Sequence, residues 1–355
     1  MKNFKKHIIR KNMEIKKLKL SDINLAVFGF NSISKYFIEN KIINVCIIDE
    51  LLRIDLKKKY RNNNITFKTL DEISKNTVII NCITGIKAGI IKNKLSQIGF
   101  KNYSWIEFKN ALYIDKINYW YLGNFNNYFF KNMSNFLNIY KILKDFKSKK
   151  QFLKILKYKV IGNQSVFNNG FESSNQYFPE FIKFNNDSIL IDVGAFDGDT
   201  ISSFIKLNYN YKEIFAFEPN KSNFFLLKEN HLINKKIKLQ NLALGSVSKS
   251  MKFKPLNDAS RVDKSGKANV NVKKLDELRL KPTYIKVDIE GGEADFISGA
   301  KDTIKKFKPI LAICVYHKKE DFFDIPKMIL RINPNYKVYF RHYSMGFTES
   351  VMYFI

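Results

Sequence analysis

Three carboxylates crowd one short stretch of this chain, Ile189-Leu-Ile-Asp-Val-Gly-Ala-Phe-Asp-Gly-Asp-Thr200, in which Asp192, Asp197 and Asp199 alternate with Gly194 and Gly198. The glycines permit a sharp turn and a close backbone approach to a ligand. A phosphate-binding loop would carry a lysine and avoid carboxylates, so these acids point away from phosphate and toward a cation or sugar hydroxyls. S-adenosylmethionine fits: it has a sulfonium, an amino group and no phosphate. About twenty residues beyond Gly198, the run Glu213–Phe217 leads into Glu218-Pro219, where a carboxylate at a strand end can take both ribose hydroxyls.

A second group of reactive side chains follows. Lys286 and Asp288 lie two residues apart on an apolar run, hence on one face of a strand, and both would point at the transferred methyl group. Glu290 and Glu293 come next, at the start of a helix. His317 ends the following apolar run, Pro309–Tyr316. Histidine titrates near neutrality, so His317 is expected to serve as general base if it is exposed in the pocket, with Asp288 orienting it or binding an acceptor hydroxyl. No metal is assigned. The mechanistic rival is Mg²⁺ held by Asp288 with Glu290 or Glu293.

Asp192-Val-Gly-Ala-Phe-Asp-Gly-Asp-Thr200, Ala216-Phe-Glu-Pro219, Asn241-Leu-Ala-Leu244 and Lys286-Val-Asp-Ile-Glu-Gly-Gly-Glu293 resemble, in order and spacing, the motif series of FkbM-family S-adenosylmethionine-dependent O-methyltransferases. The resemblance spans residues 176–355. It implies a class I, Rossmann-like, seven-stranded methyltransferase fold ending in an antiparallel hairpin. It also implies cofactor contacts from Asp192, Gly194, Ala195, Gly198, Thr200, Glu218, Pro219 and Ala243, the last facing the adenine. Tyr177, in the segment preceding the glycine loop, is a further expected cofactor contact. The acceptor implied is a hydroxyl of a surface glycan or of its sugar-nucleotide precursor, and the Lys- and Ser-rich segment Ser248–Lys274, around Asp258-Ala-Ser-Arg261, resembles the variable insertion that holds acceptors.

The elements that must position these groups alternate as strand and helix, which predicts an α/β fold with parallel sheets. Residues 1–20 form a basic leader. Residues 21–112 read as a smaller Rossmann-like domain, with strands at Ile23–Phe30, Ile43–Asp49, Thr77–Ile83 and Tyr103–Phe108 and helices at Ser32–Asn40 and Lys87–Ile98. Asp49 stands where a ribose-binding carboxylate would lie, but Gly29-Phe-Asn-Ser-Ile-Ser34 has lost the Gly-x-Gly-x-x-Gly pattern, so this half reads as a packing, oligomerisation or docking domain. Residues 113–175 read as a helical connector. In the second half, strands are expected at Ser188–Val193, Glu213–Phe217, Ile237–Leu244, Tyr284–Ile289, Pro309–Tyr316, Tyr336–His342 and Ser350–Ile355. Helices are expected at Lys221–Leu232 and Gly292–Lys306.

A formal charge of +28 in 355 residues raises the question of nucleic acid, yet the basic residues are nearly all Lys scattered among Asn and Ile. Nucleic acid is therefore not the expected partner. RNA methylation, or a basic RNA-binding scaffold that retains a cofactor pocket, remains the alternative. The Asn/Asp-Pro-Pro-Tyr/Phe motif of base N-methylation is absent, and Cys46, Cys82 and Cys314 stand apart inside apolar runs, reading as buried thiols of a reducing compartment. With neither a signal-peptide pattern nor an apolar run of membrane-spanning length, a cytoplasmic location is expected, with the basic leader able to touch the inner face of the membrane.

Overall fold

A computed structural model of the chain describes residues 23–29, 31–43, 45–47, 66–84, 87–112, 125–167, 175–207, 209–254, 261–262, 266 and 268–355. The leader, Asp49 and Asp258-Ala-Ser lie outside these residues. The chain divides into two compact units. The described parts of the first fall within Met1–Met133, Lys150–Glu172 and His342–Glu349; those of the second fall within Ser134–Lys149, Ser173–Arg341 and Ser350–Ile355.

The first unit is built on five parallel strands, β1 (Leu25–Phe28), β2 (Val45–Ile47), β3 (Thr66–Lys68), β4 (Val78–Asn81) and β5 (Asn102–Ser104), in the order β3-β2-β1-β4-β5. That order is the one the doubly wound dinucleotide-binding fold uses for its first five strands. Helices α1 (Ser32–Glu39), α2 (Ala88–Gln97) and α3 (Trp105–Ala111) accompany it, and Ala26, Phe28, Ile79, Leu95 and Phe100 pack one core cluster. The turn after β1 serves the fold itself. A Cβ on Gly29 (φ +88°) would lie 2.5 Å from Ile83 Cδ1, and the Asn31 side chain accepts hydrogen bonds from Ile33 and Ser34 N–H, so the α1 N-terminus is capped from within.

One strand expected in this unit is largely a helix. Tyr103 and Ser104 are in β5, but Trp105–Ala111 is α3, because Ser104 and Glu107 form a capping box: Glu107 N–H donates to Ser104 Oγ (3.1 Å) and Ser104 N–H to Glu107 Oε2 (2.9 Å). Glu107 is also paired with Lys92 (3.0 Å). The aromatic, β-prone residues of this stretch were the misleading signal; local capping overrides them. Residues 125–161 are helical as expected, in α4 (Phe125–Lys131), α5 (Met133–Ile142) and α6 (Phe146–Ile161).

The second unit carries a seven-stranded sheet: β6 (Ile189–Val193), β7 (Glu213–Phe217), β8 (Ile237–Gln240), β13 (Tyr284–Val287), β14 (Ile310–Cys314), β15 (Val338–His342) and β16 (Ser350–Phe354). Their order is β15-β16-β14-β13-β6-β7-β8, with β16 antiparallel to β14 and the strands from β14 to β8 parallel. Helices α7 (Asp199–Lys206), α8 (Lys221–His231), α9 (Glu293–Gly299), α10 (Lys301–Phe307) and α11 (Asp321–Ile332) complete it. The helix expected over 292–306 is broken at Ala300. A Cβ on Gly299 would lie 1.9 Å from the Gly245 carbonyl oxygen, and the chain restarts as α10.

The strand expected over 237–244 also divides. β8 ends at Gln240, and β9 (Ala243–Leu244) joins a separate four-stranded sheet with β10 (Lys249–Lys254), β11 (Arg261–Val262) and β12 (Ala268–Lys273), ordered β11-β10-β12-β9. The Lys- and Ser-rich insertion is thus sheet where described. Its apolar positions fall on one face: Phe253, Val270 and Val272 cluster with Ala243. Of the cysteines, Cys82 and Cys314 are buried thiols. Among the described residues no helix is long and apolar enough to cross a membrane.

Arg341 ties β15 to the turn before α6. It is 4 % exposed and its guanidinium donates to both Asp145 oxygens (3.2 and 2.7 Å) and to Ser148 Oγ (2.7 Å). Burial raises the Asp145 pKa, but Arg341 and Ser148 outweigh it and hold this carboxyl below its ordinary value. Asp145→Ala should lower the unfolding free energy by about 2 kcal/mol at pH 7, since it strips a buried cation of its partner. In denaturant titrations the gap to the parent should close as pH falls through the depressed Asp145 pKa.

Candidate active site at the carboxyl edge of the seven-stranded sheet

The glycine loop is clamped between two neighbouring strands. Gly194 and Ala195 N–H both donate to the Phe217 carbonyl (3.0 and 3.1 Å). On the other side Asp288 N–H donates to the Val193 carbonyl (3.1 Å). Lys286 Nζ donates to the Gly194 carbonyl (2.7 Å) and lies 2.9 Å from Asp192 Oδ1. Burial disfavours the Lys286 charge, yet Asp192 and Asp288 more than offset this, so its pKa is raised above the ordinary lysine value. A lysine held charged and spent on the loop takes no proton. Lys286 is therefore a positioning residue, and the expectation that it points at the methyl group is corrected.

The two glycines are required by protein atoms as well. A Cβ on Gly194 (φ +79°) would sit 1.9 Å from the Asp288 carbonyl oxygen, and one on Gly198 (φ +89°) 2.3 Å from His231 Cδ2. The space a side chain would need is taken by Asp288 and His231. Gly198 is the α7 N-cap. Asp197 Oδ1 accepts from Asp199 N–H (3.2 Å), Asp199 Oδ1 accepts from Thr200 N–H (2.6 Å), and Thr200 itself is buried.

Glu218 closes the loop from the β7 end. Its Oε2 accepts from Phe196 N–H (3.0 Å) and its Oε1 from Asn220 N–H (2.8 Å). Burial pushes its pKa up to about 7, despite those two backbone donors. The half-buried Pro219 follows, and the Asn241 amide donates to the carbonyls of Glu218 (2.8 Å) and Pro219 (3.3 Å). Asn241 belongs to a motif legible in the sequence but had been given no task; here it ties the chain after β8 to the strand end after β7. Ala243 packs with Phe253, Val270 and Val272, which places it in the core of the small sheet.

Asp288, just beyond β13, is the hub of the remaining residues. Tyr177 donates through its hydroxyl to Asp288 Oδ2 (2.7 Å), and Tyr316 donates to Oδ1 (3.4 Å). Tyr177 is itself pinned, its N–H donating to Tyr353 Oη (3.2 Å) and its carbonyl accepting from Tyr284 Oη. It thus meets the catalytic candidates directly. Sequence alone does not reveal Tyr316 and Tyr353, because an aromatic in an apolar run gives no sign that its hydroxyl is used.

His317 is 0 % exposed and lies among acids. Its Nδ1 is 2.9 Å from Glu293 Oε1, and its Nε2 is 3.4 Å from Asp288 Oδ1 and 3.5 Å from Glu290 Oε2. Burial alone would lower its pKa, but Glu293 and Glu290 overcome this and hold it well above the ordinary histidine value. Burial likewise raises Asp288, while the positive His317 and Lys286 bring it below its usual range. The expectation of His317 as general base required an exposed imidazole and is corrected: the ring is buried, with carboxylates at both of its nitrogens. Glu290, in the left-handed region (φ +56°), and Asp288 are the carboxylates with exposed side-chain surface, 15 % and 21 %. Asp288, Glu293 and His317 each offer a donor atom, all within 4.8 Å of one another. Asp321, also unforeseen, stands nearby with its pKa raised to about 7 by burial and by Glu293.

Residues 192–342 match the family model of the methyltransferase FkbM domain. Methyltransferase FkbM from Methylobacillus flagellatus KT superposes with a TM-score of 0.75, covering 99% of each chain at 16% identity, and so shares the fold. An rRNA methylase from Streptococcus thermophilus covers 48% of this chain and 87% of its own at 11% identity, with a TM-score of 0.32. Aeropyrum pernix fibrillarin in complex with natively bound S-adenosyl-L-methionine covers 51% and 71% at 12% identity, with a TM-score of 0.32. These last two overlaps are too partial to bear on this chain. No curated protein matches the sequence.

The charge on His317 is directly measurable. In the metal-free protein at pH 7, ¹⁵N ring shifts should report His317 protonated on both nitrogens, with its contribution to stability complete below its unfolded pKa near 6.5 and lost only as pH rises through the elevated folded value. A neutral tautomer at pH 7 would restore His317 as a base.

Proposed function

We propose that this domain transfers a methyl group from S-adenosylmethionine to a hydroxyl oxygen of a surface glycan or its sugar-nucleotide precursor. The observation that carries the reading is the Glu218 carboxylate bonded to Phe196 N–H of the glycine loop (3.0 Å). It stands at a strand end with lone pairs left for the two hydroxyls of a ribose. The loop's nearest cation, Lys286, is already matched by Asp192, which suits a sulfonium and not a phosphate. The FkbM resemblance supplies the acceptor class.

In this reading the acceptor oxygen attacks the methyl carbon in line. The O–C bond forms as the S–C bond breaks, S-adenosylhomocysteine leaves, and the hydroxyl proton passes to the Asp288 and Glu290 carboxylates. Positioning supplies most of the acceleration. Tyr177 and Tyr316 fix Asp288 for that purpose, and His317 keeps neighbouring carboxylates from repelling one another.

Two measurements test this. Glu218→Ala should weaken S-adenosylmethionine binding by about 1.5–3 kcal/mol, roughly 10- to 100-fold, in calorimetric titrations. Because the ribose hydroxyls favour the ionised carboxyl, parent affinity should also rise with pH through about 7, whereas Glu218→Gln should be flat. With labelled methyl donor offered to pooled sugar nucleotides, glycolipid extract and RNA, label should enter the carbohydrate pools; label in RNA alone would overturn the acceptor class.

A further inference from the structure

The cluster around His317 gathers four carboxyl groups about one imidazole ring. Asp288, Glu290 and Glu293 face its two ring nitrogens, Asp321 is 3 % exposed beside them, and Lys286 is committed to Asp192 and the Gly194 carbonyl. Glu293 is fully buried. Its Oε1 accepts from Ile289 N–H (3.1 Å) and lies 2.9 Å from His317 Nδ1, but its Oε2 is buried with no hydrogen-bond partner among the described residues. A buried carboxylate oxygen with no donor carries a desolvation cost that a cation would remove.

At the other ring nitrogen, His317 Nε2 stands 3.4 Å from Asp288 Oδ1 and 3.5 Å from Glu290 Oε2, longer than the about 2.7–2.9 Å of charge-assisted N–H···O bonds. Asp288, Glu293 and His317 already bring their donor atoms within 4.8 Å of one another, so small side-chain adjustments complete a set of three.

We propose that Asp288, Glu293 and His317 form a binding site for a divalent first-row transition-metal ion. One imidazole with two carboxylates is a donor set for Mn²⁺ or its neighbours, while Mg²⁺ prefers oxygen ligands alone. When bound, such an ion would act as a Lewis acid on an oxygen brought to Asp288. The site itself depends on no reading of the donor or the acceptor.

The test uses the full chain and MnCl₂ alone, followed by electron paramagnetic resonance of free Mn²⁺ and by calorimetry, with no methyl donor present. Saturable binding near one ion per chain is expected, at least tenfold tighter than Mg²⁺. Asp288→Asn and Glu293→Gln should each weaken it tenfold or more. Since Glu293→Gln alters a fully buried group, its circular dichroism and melting are compared with the parent; if it fails to fold, Asp288→Asn, whose side chain is partly exposed, decides. Absence of saturable Mn²⁺ binding, or binding that Asp288→Asn leaves unchanged, would overturn the site.

Discussion

The architecture of the site depends on how closely the chain after β13 approaches the turn after β6. The Asp288 carbonyl occupies the place where any side chain at residue 194 would stand, and the Asp288 N–H donates to Val193. Lys286 reaches across the same seam to the Gly194 carbonyl and to Asp192. A buried ion pair of this sort gains little net stability, because desolvation offsets attraction. What it contributes is register: it fixes the acidic turn and Asp288 at adjacent points of the sheet's carboxyl edge, where open parallel sheets bind ligands.

Charge balance explains the division of labour along that edge. On the β6–β7 side the acids are met mainly by backbone N–H groups and by Lys286, leaving Glu218 near neutrality in its titration. On the β13–β14 side, His317 sits among carboxylates and is held charged. The two halves of the site thus carry carboxyls in different states: burial raises the Glu218 pKa to about 7, whereas His317 and Lys286 outweigh burial and hold Asp288 below its ordinary value.

Much of this was legible in the sequence, and for physical reasons. The buried strands β6, β7 and β14 are short apolar runs bounded by polar residues, so their existence followed from pattern alone. The same holds for Glu218 at a strand end and for the Asp288–Glu293 stretch. Chemistry depending on long-range burial was not legible. His317 reads as a base in one dimension, and only packing against Glu290 and Glu293 reverses that. Lys286 and Asp288 share a strand face, yet pairing with Asp192 takes Lys286 out of reach. The break at Asn241 and the small sheet carrying Ala243 depend on apolar partners, Phe253 and Val272, that lie on other strands. The helix after Ser104 was readable from Ser-Trp-Ile-Glu, but the aromatic run suggested a strand.

The central claim is that the methyl donor is held by the Asp192–Thr200 turn with Glu218, in the second unit. Hydrogen exchange of backbone amides with and without S-adenosylhomocysteine tests it most directly, because it reads both halves of the chain in one experiment. The account predicts protection concentrated at residues 194–200 and 218–220, with residues 29–34 of the first unit unchanged. Protection at residues 29–34, with the acidic turn unaffected, would contradict it.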